Sequence, residues 1–207
     1  MSSAPTTTHH HHANHLALLH IAVLLLLLAL VPQGQLQRNR PKAGTITHNL
    51  RVSKIVCVNT PYKLTHLNYC KMEQLPNGTI ALNASIDVPI VLNYLEITAK
   101  LFYKYTTYRP FMIDWNIELC QAFRSGGYNP SSALVLKIIE ATIPEFYYAC
   151  PHGNRTYATV WLFEQKLIPK NIPSGEYRLD ITFSESTKTI LFSMQAYGAV
   201  RKQGLLG

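Results

Sequence analysis

Past residue 44, apolar and polar side chains alternate with a period of two along several short segments. The alternating segments cover residues 80–88, 95–103, 111–119, 177–183 and 190–196. Successive side chains of a strand point to opposite faces, so this pattern indicates strands with one buried face. Asn77-Gly78 is a strong hairpin sequence and pairs 69–75 with 79–88. Short strands joined by turns containing Pro or Gly predict an all-β, antiparallel sandwich.

One segment departs from the alternation and predicts a short inserted helix near residues 131–142. Asn129-Pro130-Ser131-Ser132 has the capping residue and early proline of a helix start. Leu134, Val135, Ile138 and Ile139 then recur at helical spacing, and Pro144 ends the pattern. The helix could be ordinary core that caps the sandwich, or a lid over the gap between two sheets.

Four cysteines, Cys57, Cys70, Cys120 and Cys150, fit two disulfides with three possible connectivities. Locality favours Cys57–Cys70 and Cys120–Cys150. The second pair would enclose the predicted helix and would stabilise the fold by about 3–4 kcal/mol on the chain-entropy account. The spacings contain no C-x-x-C, which argues against a zinc site or thioredoxin-type chemistry.

Residues 16–31 form an apolar run broken only by His20. We predict that residues 1–34 are a cleaved signal peptide. An uncleaved membrane anchor through residues 13–31 is the main alternative, and a buried core helix is the third. The basic residues Arg38, Arg40 and Lys42 follow the run and count against export. The cysteines and glycosylation motifs downstream outweigh them, so we predict a secreted or membrane-tethered extracellular domain.

The remaining chain divides into a basic N-terminal arm (35–46), one domain (47–198) and a C-terminal tail (199–207). With 19 basic and 11 acidic residues, the formal net charge is +8, and much of the excess lies early. The arm could contact an anionic surface or a membrane receptor, or it could be a solvated N-terminus. Secretion and the lack of a recognition-helix or zinc-finger pattern argue against nucleic acid.

Three Asn-X-Ser/Thr motifs, at Asn77, Asn83 and Asn154, predict N-linked glycans on an exported chain. The alternation at 80–88 puts Asn83 on the polar side of its strand. The strand pattern and the glycosylation motif therefore agree about which face meets solvent.

Several cysteine-anchored motifs are similar to those of a known family. They are Val-Cys57-Val-Asn, Asn-Tyr-Cys70, Tyr-Arg109-Pro-Phe-Met, Ile-Glu-Leu-Cys120, Tyr-Ala-Cys150-Pro and Ile-Pro-Ser-Gly175-Glu-Tyr. Over roughly residues 50–198 the chain resembles an insect-expanded family of small secreted proteins of unknown function. That family is similar to the ML lipid-recognition domains, which include sterol carriers and the ganglioside activator. The resemblance implies an immunoglobulin-like (ML-like) β-sandwich that holds a lipid between its sheets. Some fly relatives are linked to contact chemosensation, which implies a similar extracellular role.

The motifs of common enzymes are missing from the sequence, so we predict no enzymatic activity, no metal site and no cofactor. There is no H-E-x-x-H, G-x-S-x-G or phosphate-binding loop. The apolar residues on the inward faces of the predicted strands instead predict that the protein binds an apolar ligand, such as a lipid. The alternative is an extracellular protein-interaction glycoprotein with a filled core and no ligand. The candidate ligand-binding residues are Leu101, Trp115, Ile117, Leu134, Ile138, Trp161, Phe183 and Phe192.

Overall fold

A computed structural model describes residues 47–76, 78–162 and 172–203, with the backbone alone for residues 47, 48, 202 and 203. The predicted signal peptide (1–34), the alternative anchor (13–31), the basic arm (35–46) and Asn77 lie outside the described residues. The predictions made for them stay predictions. Within the described ranges, no helix has the length and apolar character needed to cross a bilayer.

Eight strands form two antiparallel sheets. They are β1 (Thr47–Cys57), β2 (His66–Gln74), β3 (Ile80–Leu92), β4 (Glu96–Lys104), β5 (Tyr108–Glu118), β6 (His152–Leu162), β7 (Gly175–Ser184) and β8 (Ile190–Gln203). One sheet has the order β1-β8-β7-β4-β5, and the other has the order β2-β3-β6. The predicted all-β, immunoglobulin-like antiparallel sandwich is therefore confirmed. The 69–75/79–88 hairpin is also formed, with Gln74 opposite Ile80.

Two helices and a 3-10 turn connect β5 to β6. They are α1 (Leu119–Ser125), α2 (Pro130–Thr142) and the turn Pro144–Phe146. The predicted inserted helix is α2. Asn129 caps it: its side chain accepts a hydrogen bond from the Ser132 N–H at 2.7 Å, and its own N–H donates to Ser132 Oγ at 2.9 Å.

Helix α1 differs from the expectation, since the alternation predicted that the fifth strand continues to Leu119. The Glu118 carboxylate accepts hydrogen bonds from the N–H groups of Cys120 (2.9 Å) and Gln121 (2.5 Å). It thereby caps a helix that begins at Leu119. Leu119 is buried as predicted, but it reaches the core from a helix rather than from a strand.

The central strand β3 is more buried than strict alternation predicts. Leu82, Ala84 and Val88 are buried as expected, but Ala81 and Ser85, expected on the polar face, are buried too. β3 lies between β2 and β6, and its outer positions here carry small side chains. Larger side chains on the flanking strands can cover small side chains such as those of Ala81 and Ser85. These outer residues of β3 are therefore buried, although the alternation predicts that they are exposed.

Both disulfides join segments that belong to different sheets. Cys57 on β1 bonds Cys70 on β2, with Cα atoms 6.2 Å apart. Cys120 follows β5, and Cys150 precedes β6, and these two also form a disulfide. These are the two pairs that locality favours. Because β1 and β5 are the edges of one sheet and β2 and β6 are the edges of the other, the sandwich is tied along both sides.

Candidate functional site

A cavity of about 520 Å³ lies between the two sheets. Its walls include Leu82 and Ala84 of β3, Ala99 of β4 and Ile181 of β7, and α2 adds Val135. These inward side chains come from the two-residue alternation of each strand, since every second residue of both sheets faces the space between them. The volume falls within the range of about 300–1,000 Å³ that is usual for small-molecule sites. The filled-core alternative is not what the structure shows.

Seven of the eight candidate ligand-binding residues contribute to the wall of the cavity, and they come from six elements. They are Leu101 on β4, Trp115 on β5, Leu134 and Ile138 on α2, Trp161 on β6, Phe183 on β7 and Phe192 on β8. Ile117 is not part of the wall. It is buried in the core next to the cavity, where it pairs with Ile97 of β4.

An irregularity in β5 shapes one side of the cavity. Lys100 pairs with Asp114 and Phe102 pairs with Pro110, so Phe111, Met112 and Ile113 together oppose the single residue Leu101. Met112 at the centre of this bulge has φ = 58°, in the left-handed region that residues other than Gly seldom adopt. Bulges redirect side chains at sheet edges, and this one places Met112 in the wall of the cavity while leaving it largely exposed.

Two residues of the cavity wall are exposed, one in the β5 bulge and one on α2. Met112 is 67% exposed and Leu134 is 43% exposed, and both belong to the cavity wall. The other wall residues within the described ranges are buried or half-buried. Met112 and Leu134 therefore border both the cavity and the solvent.

Polar side chains gather at the end of the cavity where β6 begins. His152 is 1% exposed, and its ring stacks on Phe146 with centroids 4.6 Å apart. Burial lowers the pKa of His152 to about 4, with a smaller contribution from Arg155, so the imidazole is neutral near pH 7. The Tyr157 hydroxyl shares a 2.6 Å hydrogen bond with Tyr148 and accepts a bond from the Gly153 N–H at 2.8 Å.

Gly153 allows β6 to lie close to β3 at this end. It has φ = 83°, and a Cβ at this position would lie 2.0 Å from the Ile90 carbonyl oxygen. The β3–β6 register shifts here, between the Val88–Arg155 pair and the Val91–Gly153 pair. A residue with a side chain would force the strands apart, so the backbone at Gly153 helps to fix the positions of His152 and Tyr157.

Sequence reasoning missed His152 and Tyr157 as wall residues. His152 follows Cys150 by two residues, but Cys150 is disulfide-bonded, so it offers no thiolate for a Cys/His catalytic pair. Tyr157, Thr159 and Trp161 do alternate along β6 and all belong to the wall. Tyr and Thr are enriched in strands, so this stripe could have indicated the strand and its inner face.

The described residues hold no group of three or more His, Cys, Asp or Glu side chains placed to bind a metal ion. The two outward carboxylates of β5 have structural partners. Asp114 lies 3.4 Å from Lys100 Nζ, and Glu118 caps α1.

The glycosylation motifs differ in their surroundings. Asn154 is exposed. Asn83 is half-buried, and its Nδ2 donates a hydrogen bond to Glu73 Oε2 at 2.9 Å on the outer face of β3. An attached glycan would have to replace that contact.

Comparison with known proteins gives a family match and a structural similarity. Residues 97–179, from β4 into β7, match a family described as "Protein of unknown function (DUF1091)". The match spans less than half of the chain, and it supports the resemblance to a family of unknown function. No curated protein matches the chain significantly.

Among solved structures, the chain is similar to a Niemann-Pick type C2 protein from Japanese carpenter ant. The two are 11% identical, and the alignment covers 69% of this chain and 96% of the ant protein, with a TM-score of 0.34. At that TM-score the likeness carries no argument about function. The architecture follows from the sheets and disulfides of the chain itself.

Proposed function

We propose that this chain is a secreted glycoprotein that binds a lipid or another apolar small molecule between its two β-sheets. The observation that carries the proposal is the cavity of about 520 Å³, whose walls are mostly aliphatic and aromatic side chains. Binding would be sequestration without chemistry. Transfer of apolar surface from water contributes about 25 cal/mol per Å², so a ligand that fills such a space gains several kcal/mol.

The two disulfides support the proposal that the protein is secreted. Both disulfides are formed within the described ranges, and disulfides persist in oxidising compartments. Exposure of Asn154 suits a glycan acceptor. A carrier of this kind could act in extracellular lipid recognition or chemosensation, with the basic arm at 35–46 contacting an anionic surface or a membrane receptor.

The proposal predicts that the protein purified from a secreting cell retains an apolar molecule. Native mass spectrometry of the intact glycoprotein is expected to show a mass above that of the chain and its glycans. Organic extraction should release the extra mass. Protein with no retained molecule, and with no uptake from a lipid mixture, would contradict the proposal.

A pair of matched variants tests whether the cavity is the binding site. Ala84→Phe adds a ring to an inward residue of β3 and fills part of the cavity, whereas Ala158→Phe adds the same ring at an exposed position of the neighbouring β6. We expect Ala84→Phe to lose the retained molecule and Ala158→Phe to keep it. Equal retention by both variants would place the ligand elsewhere.

A further inference from the structure

Met112 combines two properties that the other methionines of the described ranges do not share: it is exposed, and it belongs to the cavity wall. Met72 on β2 is 47% exposed, but it is not among the residues that line the cavity. Met194 on β8 lines the cavity, but it is 1% exposed. Solvent therefore reaches a thioether of the cavity wall at Met112.

The β5 bulge holds Met112 at this position. Regular pairing with β4 resumes on both sides of the bulge, at Pro110 and at Asp114. The next residue, Ile113, also belongs to the cavity wall. The unbranched side chain of Met112 is flexible, but its starting point is set by the bulge. The thioether is therefore kept between the apolar space and solvent.

An exposed methionine thioether can be oxidised by a peroxide. In this step the terminal oxygen of the peroxide bonds to the Met112 sulfur as the O–O bond breaks. The sulfur is oxidised by two electrons to a sulfoxide, and hydrogen peroxide is reduced to water. The oxidation turns an apolar side chain into a polar one.

A sulfoxide does not suit the wall of this cavity. The wall is mostly aliphatic and aromatic, so a sulfoxide oxygen that faces the ligand would lose its water without gaining a hydrogen-bond partner. Solvent is open to the Met112 side chain, and the oxidised group is better satisfied there. The ligand then loses an apolar contact, and that part of the wall admits water.

We propose that Met112 is a site of oxidative modification, and that its oxidation by a peroxide weakens the binding of the apolar ligand. The inference rests on the proposed function and adds a control on the same cavity. Burial protects Met194 from the peroxide. Met72 is open to it, but an oxygen added there lies outside the cavity wall. The two other methionines therefore serve as internal controls.

The test measures binding of a fluorescent apolar probe, N-phenyl-1-naphthylamine, to the delipidated, secreted glycoprotein before and after treatment with hydrogen peroxide. Peptide mass spectrometry is expected to locate an added oxygen on Met112 and Met72 but not on Met194. The dissociation constant of the probe should rise about tenfold, since the burial of one unpartnered polar group has an effect of this order. Methionine sulfoxide reductases, which act on the two sulfoxide epimers, should restore the affinity.

Two variants assign the effect to one residue. The affinity of each variant after peroxide is compared with its own affinity before peroxide, so a change in basal binding does not enter the comparison. Met112→Leu has no sulfur at this position and should keep its affinity. Met72→Leu should lose affinity about tenfold, as wild type does.

The outcomes separate this inference from the proposed function. Met112 left unoxidised, an unchanged affinity in oxidised wild type, an equal loss in Met112→Leu, or a loss that the reductases do not reverse overturns the oxidation site and leaves apolar binding standing. Untreated wild type that binds no probe overturns the proposed function itself.

Discussion

Burial of His152 links the stability of the fold to pH. Its pKa is lowered to about 4 by desolvation, with Arg155 lowering it further and the Tyr148 carbonyl opposing the change. An unfolded histidine titrates near 6.5. Between these two values the unfolded chain binds more protons than the folded chain, so the stability of the fold falls as the pH falls.

We predict that the free energy of unfolding decreases by about 1–2 kcal/mol from pH 7 to pH 5 because of His152. The carboxylates whose pKa values are lowered, Glu96 among them, lose their contribution mainly at lower pH. Urea denaturation at the two pH values measures the difference. His152→Phe should remove most of it and His66→Phe should not. An unchanged difference in His152→Phe would show that another group is responsible.

The sequence predicts the place of a residue in the cavity wall when that place depends only on the alternation along one strand. Strand residues two apart share a face, so the stripes of β4, β5, β7 and β8 placed Leu101, Trp115, Phe183 and Phe192 in the cavity wall. The polar end could not be derived in this way. The position of His152 depends on the pairing of β6 with β3 and on the register shift at Gly153, which are contacts between distant parts of the chain.

Among the elements, α2 was predictable because its start is encoded locally. Asn129 and Pro130 form the cap and first turn, and these depend only on neighbouring residues. Helix α1 was not predictable, because Leu119 continues the alternation of β5. Only the capping by Glu118 shows that the strand changes to a helix there. β1 and β6 were not identified as strands. In β1 the register shift between Val52 and Lys54 interrupts the alternation, and in β6 the inner face is formed by Tyr157, Thr159 and Trp161 rather than by aliphatic residues.

The cap of α2 gives a prediction at the scale of the element. Asn129→Ala removes the acceptor for the Ser132 N–H, and the free energy of unfolding should drop by about 1 kcal/mol. Chemical denaturation checks this, with Ser131→Ala in the same turn as the matched control. Equal losses of stability from the two substitutions would mean that the Asn129 cap adds nothing to the free energy of unfolding.

At the scale of the whole molecule, the two disulfides act as ties along opposite sides of the sandwich. They close segments with sequence separations of 13 and 30 residues. The chain-entropy account gives about 3 kcal/mol for the shorter segment and about 3.6 kcal/mol for the longer. The two ties therefore stabilise the fold by similar amounts, although they differ in their distance from the polar end of the cavity.

We predict that the Cys57→Ser/Cys70→Ser and Cys120→Ser/Cys150→Ser double variants lose similar stability, about 3–4 kcal/mol, in thermal or urea unfolding. Their effects on ligand retention should differ. Cys150 lies two residues from His152 in the cavity wall. Loss of the Cys120–Cys150 disulfide should therefore weaken ligand binding more than loss of the Cys57–Cys70 disulfide. If both double variants retain the ligand equally, the Cys120–Cys150 disulfide does not help to hold the shape of the cavity.

The β5 bulge also affects how one copy of the protein meets another. β1 and β5 are the outer strands of the larger sheet, and an uninterrupted outer strand can accept a strand from a second molecule. The bulge at 111–113 and Pro110 interrupt β5, and the register shift between Val52 and Lys54 interrupts β1. Both edges are poor templates for a growing fibril, so the irregularity that places Met112 in the cavity wall also opposes aggregation at high concentration.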